Sequence, residues 1–251
     1  MQPPDGPVPR VPRVTEAVLL AGGRGSRLGG VEKAELEVAG RPLVAQWCAA
    51  LAERGITVAV IGPSRLAPLL PPGTMLTREE PRFSGPASAL YAGWTALEAG
   101  RGETAPVRAD GVRGGEYLAV LAVDIVEPVA LLDWLFAQLH LNGAAGALVP
   151  VDRSGKDQLT CSLHALGPLR SRMAGVGPDD VVGSSLRRLL LAEDRSSGNR
   201  ADLTVARPVL PNQLGADVDT PDDAQRLGVR APGSFPDPAQ DSEPNPGRGD
   251  H

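Results

Sequence analysis

The chain has 251 residues and a net charge of −5, which allows one large domain or two small ones with a sizeable core. The acidic balance leaves no basic footprint for nucleic acid, so no nucleic-acid role is expected. No apolar run is long enough to span a membrane, and the proline-rich start lacks the apolar centre of a signal peptide. Cys48 and Cys161 stand far apart with no paired pattern, as expected for reduced thiols in a cytoplasmic protein. Zinc is not expected, because His140, His164 and His251 share no ligand spacing with the cysteines.

In chain order, residues 1–13 read as a proline-rich tail. A first strand covers about Ala17–Ala21. Pro42 opens a helix that runs to about Arg54 and stops at Gly55. The β-branched run Ile56–Ile61 is a second strand, and Pro86 starts a helix over Ala87–Ala99 closed by Gly100. Arg101–Glu116 is polar with four glycines, hence a surface insertion. Tyr117–Val123 is a buried strand and Val129–His140 a helix. Ala144–Val151 and Leu159–Leu163 read as strands, and Ser185–Ala192 as a helix. Thr220 caps a last helix, with Pro221 in its first turn and the acids Asp222 and Asp223 favoured by its dipole. Residues 230–251 have almost nothing to bury and read as a disordered tail. Alternating strands and helices over 14–229 predict one α/β domain with a mostly parallel sheet.

The first strand runs into a loop containing Gly22, Gly23, Gly25, Gly29 and Gly30, with Arg24, Arg27 and Lys33 set among them. Glycines let the main chain approach a ligand, exposed N–H groups form an anion site, and the cations add opposing charge. The spacing fits neither a dinucleotide fingerprint, since Leu28 stands where the third glycine belongs, nor a Walker A loop, since Lys33 precedes Ala34. A flexible surface loop would carry the same glycines. The position after the first strand, with a lysine at the far end, favours polyphosphate.

Polyphosphate chemistry calls for a divalent cation held by one or two carboxylates. Asp124 follows the apolar run Tyr117–Val123, at the carboxyl edge where ligands of open α/β sheets bind. Asp217 and Asp219 alternate onto one face of an extended segment, although Asp219 and Thr220 could equally cap the next helix.

The segment Leu20-Ala21-Gly22-Gly23, then Arg27, Gly29-Gly30 and Lys33, resembles the N-terminal signature of the molybdenum cofactor guanylyltransferases. Leu28 replaces the usual methionine and Glu32 the usual aspartate. The resemblance implies a Rossmann-like three-layer αβα sandwich of the nucleotidyltransferase type. It also implies transfer of GMP from GTP to molybdopterin with release of pyrophosphate. On this resemblance Leu20, Ala21, Gly22, Gly23 and Lys33 bind nucleotide, with Lys33, Arg27 and Asp124 catalytic. Asp124 and Asp217 would hold Mg2+. Ser84-Gly85-Pro86 resembles a segment lining the nucleotide pocket, and Glu79 stands near the position of an acid that meets the base. Lys156-Asp157-Gln158-Leu159-Thr160 resembles the stretch facing the acceptor, with Leu159 in place of a proline. GTP and molybdopterin are the implied small-molecule partners, with transient contact to cofactor-biosynthesis proteins or molybdoenzymes. Asp217-Val218-Asp219-Thr220-Pro221 is the version found in cytidylyltransferase relatives, so CMP transfer, or transfer to another phosphorylated acceptor, stays open. So does a nucleotide-binding protein without catalysis.

Overall fold

Short β-branched and leucine-rich runs build the sheet, and the helices between them cover both its faces. The structure, a computed structural model, describes residues 11–22, 32–101, 115–143, 145–191 and 203–232. Its strands are β1 (Arg13–Leu20), β2 (Glu37–Val38), β3 (Arg41–Pro42), β4 (Thr57–Ile61), β5 (Met75–Thr77), β6 (Glu116–Ala122), β7 (Ala147–Leu148), β8 (Cys161–Ala165), β9 (Val205–Ala206) and β10 (Val229–Arg230). The helices are α1 (Leu43–Ala52), α2 (Pro86–Gly100), α3 (Pro128–Leu141), α4 (Leu166–Met173), α5 (Pro178–Val181), α6 (Leu186–Leu191) and α7 (Pro221–Arg226).

Seven strands form the main sheet in the order β5-β4-β1-β6-β8-β7-β9. β5, β4, β1 and β6 are mutually parallel, β8 runs antiparallel to both β6 and β7, and β9 is parallel to β7. The expected mostly parallel sheet and Rossmann-like three-layer sandwich are therefore present. Alternation along the central strands divides the core. Ala17 and Leu19 of β1, with Tyr117, Ala119 and Leu121 of β6, pack under α1 and α3. Val18, Leu118 and Val120 face α2, α4 and α6 on the other side. Gly93 lets α2 lie close to the sheet, because a Cβ there would come within 2.7–2.9 Å of Ile61 and Val18 side-chain carbons. Among the described residues no helix is long and apolar enough to cross a membrane.

Several boundaries differ from the sequence reading. Arg13 and Arg230, placed at the edges of the expected tails, lie in β1 and β10. Residues 1–10 and 233–251, and most of the expected insertion, lie outside the described residues. The run Ala144–Val151 contributes only Ala147–Leu148 to the ladder, because Pro150 has no N–H to donate. Beyond it Val151 makes only isolated bridges, to Asp157 and Val209. The strand expected at Leu159–Leu163 is displaced to Cys161–Ala165.

A second, three-stranded sheet, β10-β2-β3, was not foreseen. Ala39 and Gly40 both take positive φ and close the β2–β3 hairpin, as a tight two-residue turn requires. From α1, the Gln46 side-chain amide donates to the carbonyls of Val38 and Arg41 on either side of that turn.

His164 of β8 is almost wholly buried. Ser162 Oγ–H donates to the Leu159 carbonyl at 2.7 Å and lies 2.8 Å from His164 Nε2. With the hydroxyl's one proton used, Nε2 carries the imidazole proton and donates to Oγ. Burial, assisted by the nearby Arg172 charge, pushes the His164 pKa down to about 3. A depressed histidine contributes stability above its unfolded pKa, near 6.5, and loses it as pH falls towards the folded value. Between about pH 6.5 and 4, urea unfolding of the wild type should therefore lose up to ~1.4 kcal/mol per pH unit more than the His164→Gln variant does. Equal slopes would show that His164 is not held neutral.

Candidate functional site

The cavity lies at the carboxyl ends of β1 and β6, where backbone bonds hold the strand ends in register. Ala21 N–H donates to the Ile61 carbonyl at 2.8 Å, Val123 N–H to Leu20 at 3.1 Å and Ala122 N–H to Thr160 at 2.8 Å. The cavity measures about 380 Å³, within the range of small-molecule sites. Leu20, Ala21, Gly22, Glu32 and Lys33 line it together with Asp124 and Asp217. Gln158, Thr160, Leu210 and Gly215 complete the lining. Cys161 also contributes, but burial pushes its thiol up to about 12, so it stays protonated and is no nucleophile at neutral pH.

Asp124 follows β6, and its carbonyl accepts from Val218 N–H at 3.2 Å. Ile125 bridges Asp217 in antiparallel fashion, and Trp47 Nε1–H of α1 donates to the Ile125 carbonyl at 3.0 Å. Val218 is fully buried, so alternation turns the flanking Asp217 and Asp219 towards Asp124. The three carboxylates have oxygens within 4.8 Å of one another. Lys33, in the 3-10 turn Lys33–Glu35, places Nζ 2.9 Å from Asp124 Oδ2 and also pairs with Asp219 Oδ1.

Burial works against the Lys33 ammonium, but Asp124 and Asp219 outweigh it and hold its pKa above the usual lysine value. The lysine is therefore charged at neutral pH. Partial burial, followed by repulsion from Asp219 and Asp124, holds the Asp217 carboxyl above the ordinary aspartate value. Three crowded carboxylates suit a hard divalent cation with oxygen ligands, a class to which Mg2+ belongs.

The structure brings together Leu20, Ala21, Gly22, Lys33, Asp124 and Asp217 from the sequence reading. Gly23 and Arg27 lie outside the described residues. Glu79 is not among the described residues that line the cavity, and its Oε1 accepts Phe83 N–H at 3.0 Å. Ser84-Gly85-Pro86 starts α2, with the Ser84 carbonyl accepting from Gly183 N–H at 3.0 Å, and is likewise absent from the described lining. In the 156–160 stretch, Gln158 and Thr160 face the cavity. Asp157 turns away from them to ion pairs with Arg187 at 2.7 Å and Arg207 at 3.1 Å.

Asp219 is the residue that the sequence reading placed between site and cap. Thr220 is the N-cap of α7: its Oγ1 accepts Asp223 N–H at 3.1 Å, while Asp223 Oδ2 accepts Thr220 N–H at 3.0 Å. The cap is complete without the Asp219 carboxylate, which is left to meet Lys33 and Asp124.

The family described as MobA-like NTP transferase domain matches residues 17–195. No curated protein matches the sequence. Among solved structures, Rv0371c from Mycobacterium tuberculosis H37Rv is similar with a TM-score of 0.54 and 17% identity, over 86% of this chain and 98% of that one. The bifunctional IspDF from Campylobacter jejuni gives a TM-score of 0.56 at 13% identity, over 86% of this chain and 54% of that one. The 2-C-methyl-D-erythritol 4-phosphate cytidylyltransferase of Francisella tularensis gives 0.55 at 12% identity, over 85% and 98%. At such identities the likeness establishes the fold.

If the three carboxylates form one cation site, Mn2+ used as a paramagnetic probe should bind the wild type. Asp124→Asn, Asp217→Asn and Asp219→Asn should each weaken that binding, by about tenfold or more. Asp223→Asn, which alters the helix cap and its ion pair with Arg226 but no member of the cluster, should not. Equal Mn2+ affinity in all four variants would rule out the cluster as the site.

Proposed function

The chain belongs to the family of MobA-like NTP transferase domains, and from that premise we propose that it is a Mg2+-dependent nucleotidyltransferase acting on GTP and molybdopterin. The observation that carries this reading is the meeting of Lys33, Asp124 and Asp217 in the lining of the cavity, with Asp219 against them. In the reaction, a phosphate oxygen of the acceptor attacks the α-phosphorus of GTP in line. The bond from that phosphorus to the bridging oxygen breaks, GMP joins the acceptor, and pyrophosphate leaves.

Most of the work is positioning and charge neutralisation rather than covalent chemistry. Backbone groups at Leu20–Gly22, which line the cavity, would hold the nucleotide, and the sequence pattern assigns Gly23 to nucleotide binding and Arg27 to catalysis as well. Lys33, held charged, stabilises the negative charge that grows on the α-phosphate oxygens. Asp124 and Asp217, with Asp219 beside them, would hold Mg2+. When bound, the ion acts as a Lewis acid on phosphate oxygens. Gln158 and Thr160, which also line the cavity, would face the acceptor. Glu79 remains the proposed partner of the guanine edge, through rearrangement of the turn its carboxylate now caps.

A second reading, CMP transfer from CTP to the same pterin or to another phosphorylated acceptor, is favoured by one observation. Both aspartates of Asp217-Val218-Asp219 belong to the acidic cluster, as in the cytidylyltransferase-like version of the segment.

Incubation with Mg2+, molybdopterin and GTP, CTP or ATP in turn is expected to release pyrophosphate and form a dinucleotide product with GTP. A product with CTP alone supports the second reading. Nucleotide binding without pyrophosphate release from any pair would leave a binding protein and end the enzymatic proposal. Lys33→Ala and Asp124→Ala should each lower turnover by about 10²–10³-fold or more while preserving the circular dichroism spectrum. Near-normal rates in either variant would contradict the roles assigned to them.

A further inference from the structure

Arg65 belongs to none of the motifs discussed so far. It lies in the 3-10 turn Ser64–Leu69 that follows β4, a turn anchored by the fully buried Leu66. Its Nη2 lies 2.8 Å from Glu32 Oε1, and its Nε lies 2.8 Å from Glu35 Oε1. Those carboxylates stand immediately before Lys33 and two residues after it, so one guanidinium clasps both ends of the turn that carries the site lysine. The turn's own bonds are few: Glu35 N–H donates to the Glu32 carbonyl at 3.0 Å and Leu36 N–H to Lys33 at 3.2 Å.

The arrangement addresses two problems. A one-turn 3-10 segment has little rigidity of its own, yet the ammonium of Lys33 must be held accurately between Asp124 and Asp219. In addition, Glu32 lines the cavity, where an uncompensated carboxylate would repel a triphosphate. The planar fork of an arginine can meet two carboxylates at once, which a lysine point charge cannot. Arg65 itself is half-exposed, with 51% of its side chain accessible, against 19% for Glu32. An ion pair so open to solvent adds little to global stability. Its effect falls on local geometry and on the charge seen from the cavity.

We propose that Arg65 is a positioning residue that clamps the Lys33 turn and neutralises Glu32, so that the cavity accepts the phosphate chain of a nucleoside triphosphate. The substrate half of this statement rests on the nucleotidyltransferase reading, whereas the clamping half does not.

Two measurements on the full-length chain test the halves separately. Titration calorimetry with Mg2+–GTP and Mg2+–CTP should show Arg65→Ala weakening the bound nucleotide about five- to tenfold. Adding Glu32→Gln to Arg65→Ala should restore most of the loss, and adding Glu35→Gln should not. Amide hydrogen exchange without nucleotide should be faster at Glu35 and Leu36 in Arg65→Ala than in the wild type. Unchanged affinity in Arg65→Ala, or a loss that Glu32→Gln fails to repair, overturns charge neutralisation. Unchanged exchange at both amides overturns the clamp. If the wild type binds neither nucleotide, the nucleotidyltransferase reading fails together with the neutralising role, and the exchange result still decides the clamp.

Discussion

Everything at the site depends on one antiparallel bridge between chain segments far apart in sequence. The Asp124 carbonyl accepts Val218 N–H, and Ile125 pairs with Asp217. Val218 is fully buried against the α1–α3 side of the core, so its neighbours on either side must face the opposite way. Burial of one apolar side chain thereby fixes where two carboxylates point. Charges of like sign would otherwise separate, because repulsion between them is relieved by any loosening of the segment. The backbone bond, the buried valine and the Trp47 hydrogen bond to Ile125 together resist that drift.

Lys33 is tied to the same unit by a different route. β2 follows the Lys33 turn and pairs with β10, which follows α7, so the small sheet fastens together the segments that follow Lys33 and Asp219. Leu43 N–H at the start of α1 donates to the Leu36 carbonyl at 2.8 Å, completing the connection to the main core. Among the described residues lining the cavity, Lys33 is the one basic side chain, set against Glu32, Asp124 and Asp217. Such a surplus of acid is suited to binding a metal–triphosphate complex in which cation and anion arrive together. It is poorly suited to a bare phosphate chain.

The features legible in the sequence were those with local physical causes. An apolar run that ends in glycine marked the end of β1, and Asp124 stood out because the run Tyr117–Val123 before it carries no charge. Thr220-Pro221-Asp222-Asp223 carried its whole capping logic in four neighbouring residues, and the structure has that cap. The signals that failed were those settled by contacts at long range. The reversed direction of β8 leaves no trace in a buried five-residue stretch, since parallel and antiparallel neighbours ask for the same side chains there. The strands β2, β3 and β10 have two residues each, too short for any period to show. Asp219 was ambiguous because a cap and a site ligand are both acidic. What resolves it is that the Thr220 hydroxyl takes the capping bond, a choice between oxygen atoms that no residue pattern encodes. Arg65 gave no signal because both its partners lie on another segment.

Three residues, Ile125-Val126-Glu127, separate Asp124 from Pro128, which starts α3. Ile125 makes the bridge to Asp217 and receives the Trp47 hydrogen bond, and both Ile125 and Val126 are buried in the α1–α3 core. That three-residue step gives the backbone room to pair with the 217–219 segment before the helix begins. Proline at position 125 would still leave a carbonyl for Trp47, but it would remove an N–H from the residue that bridges Asp217.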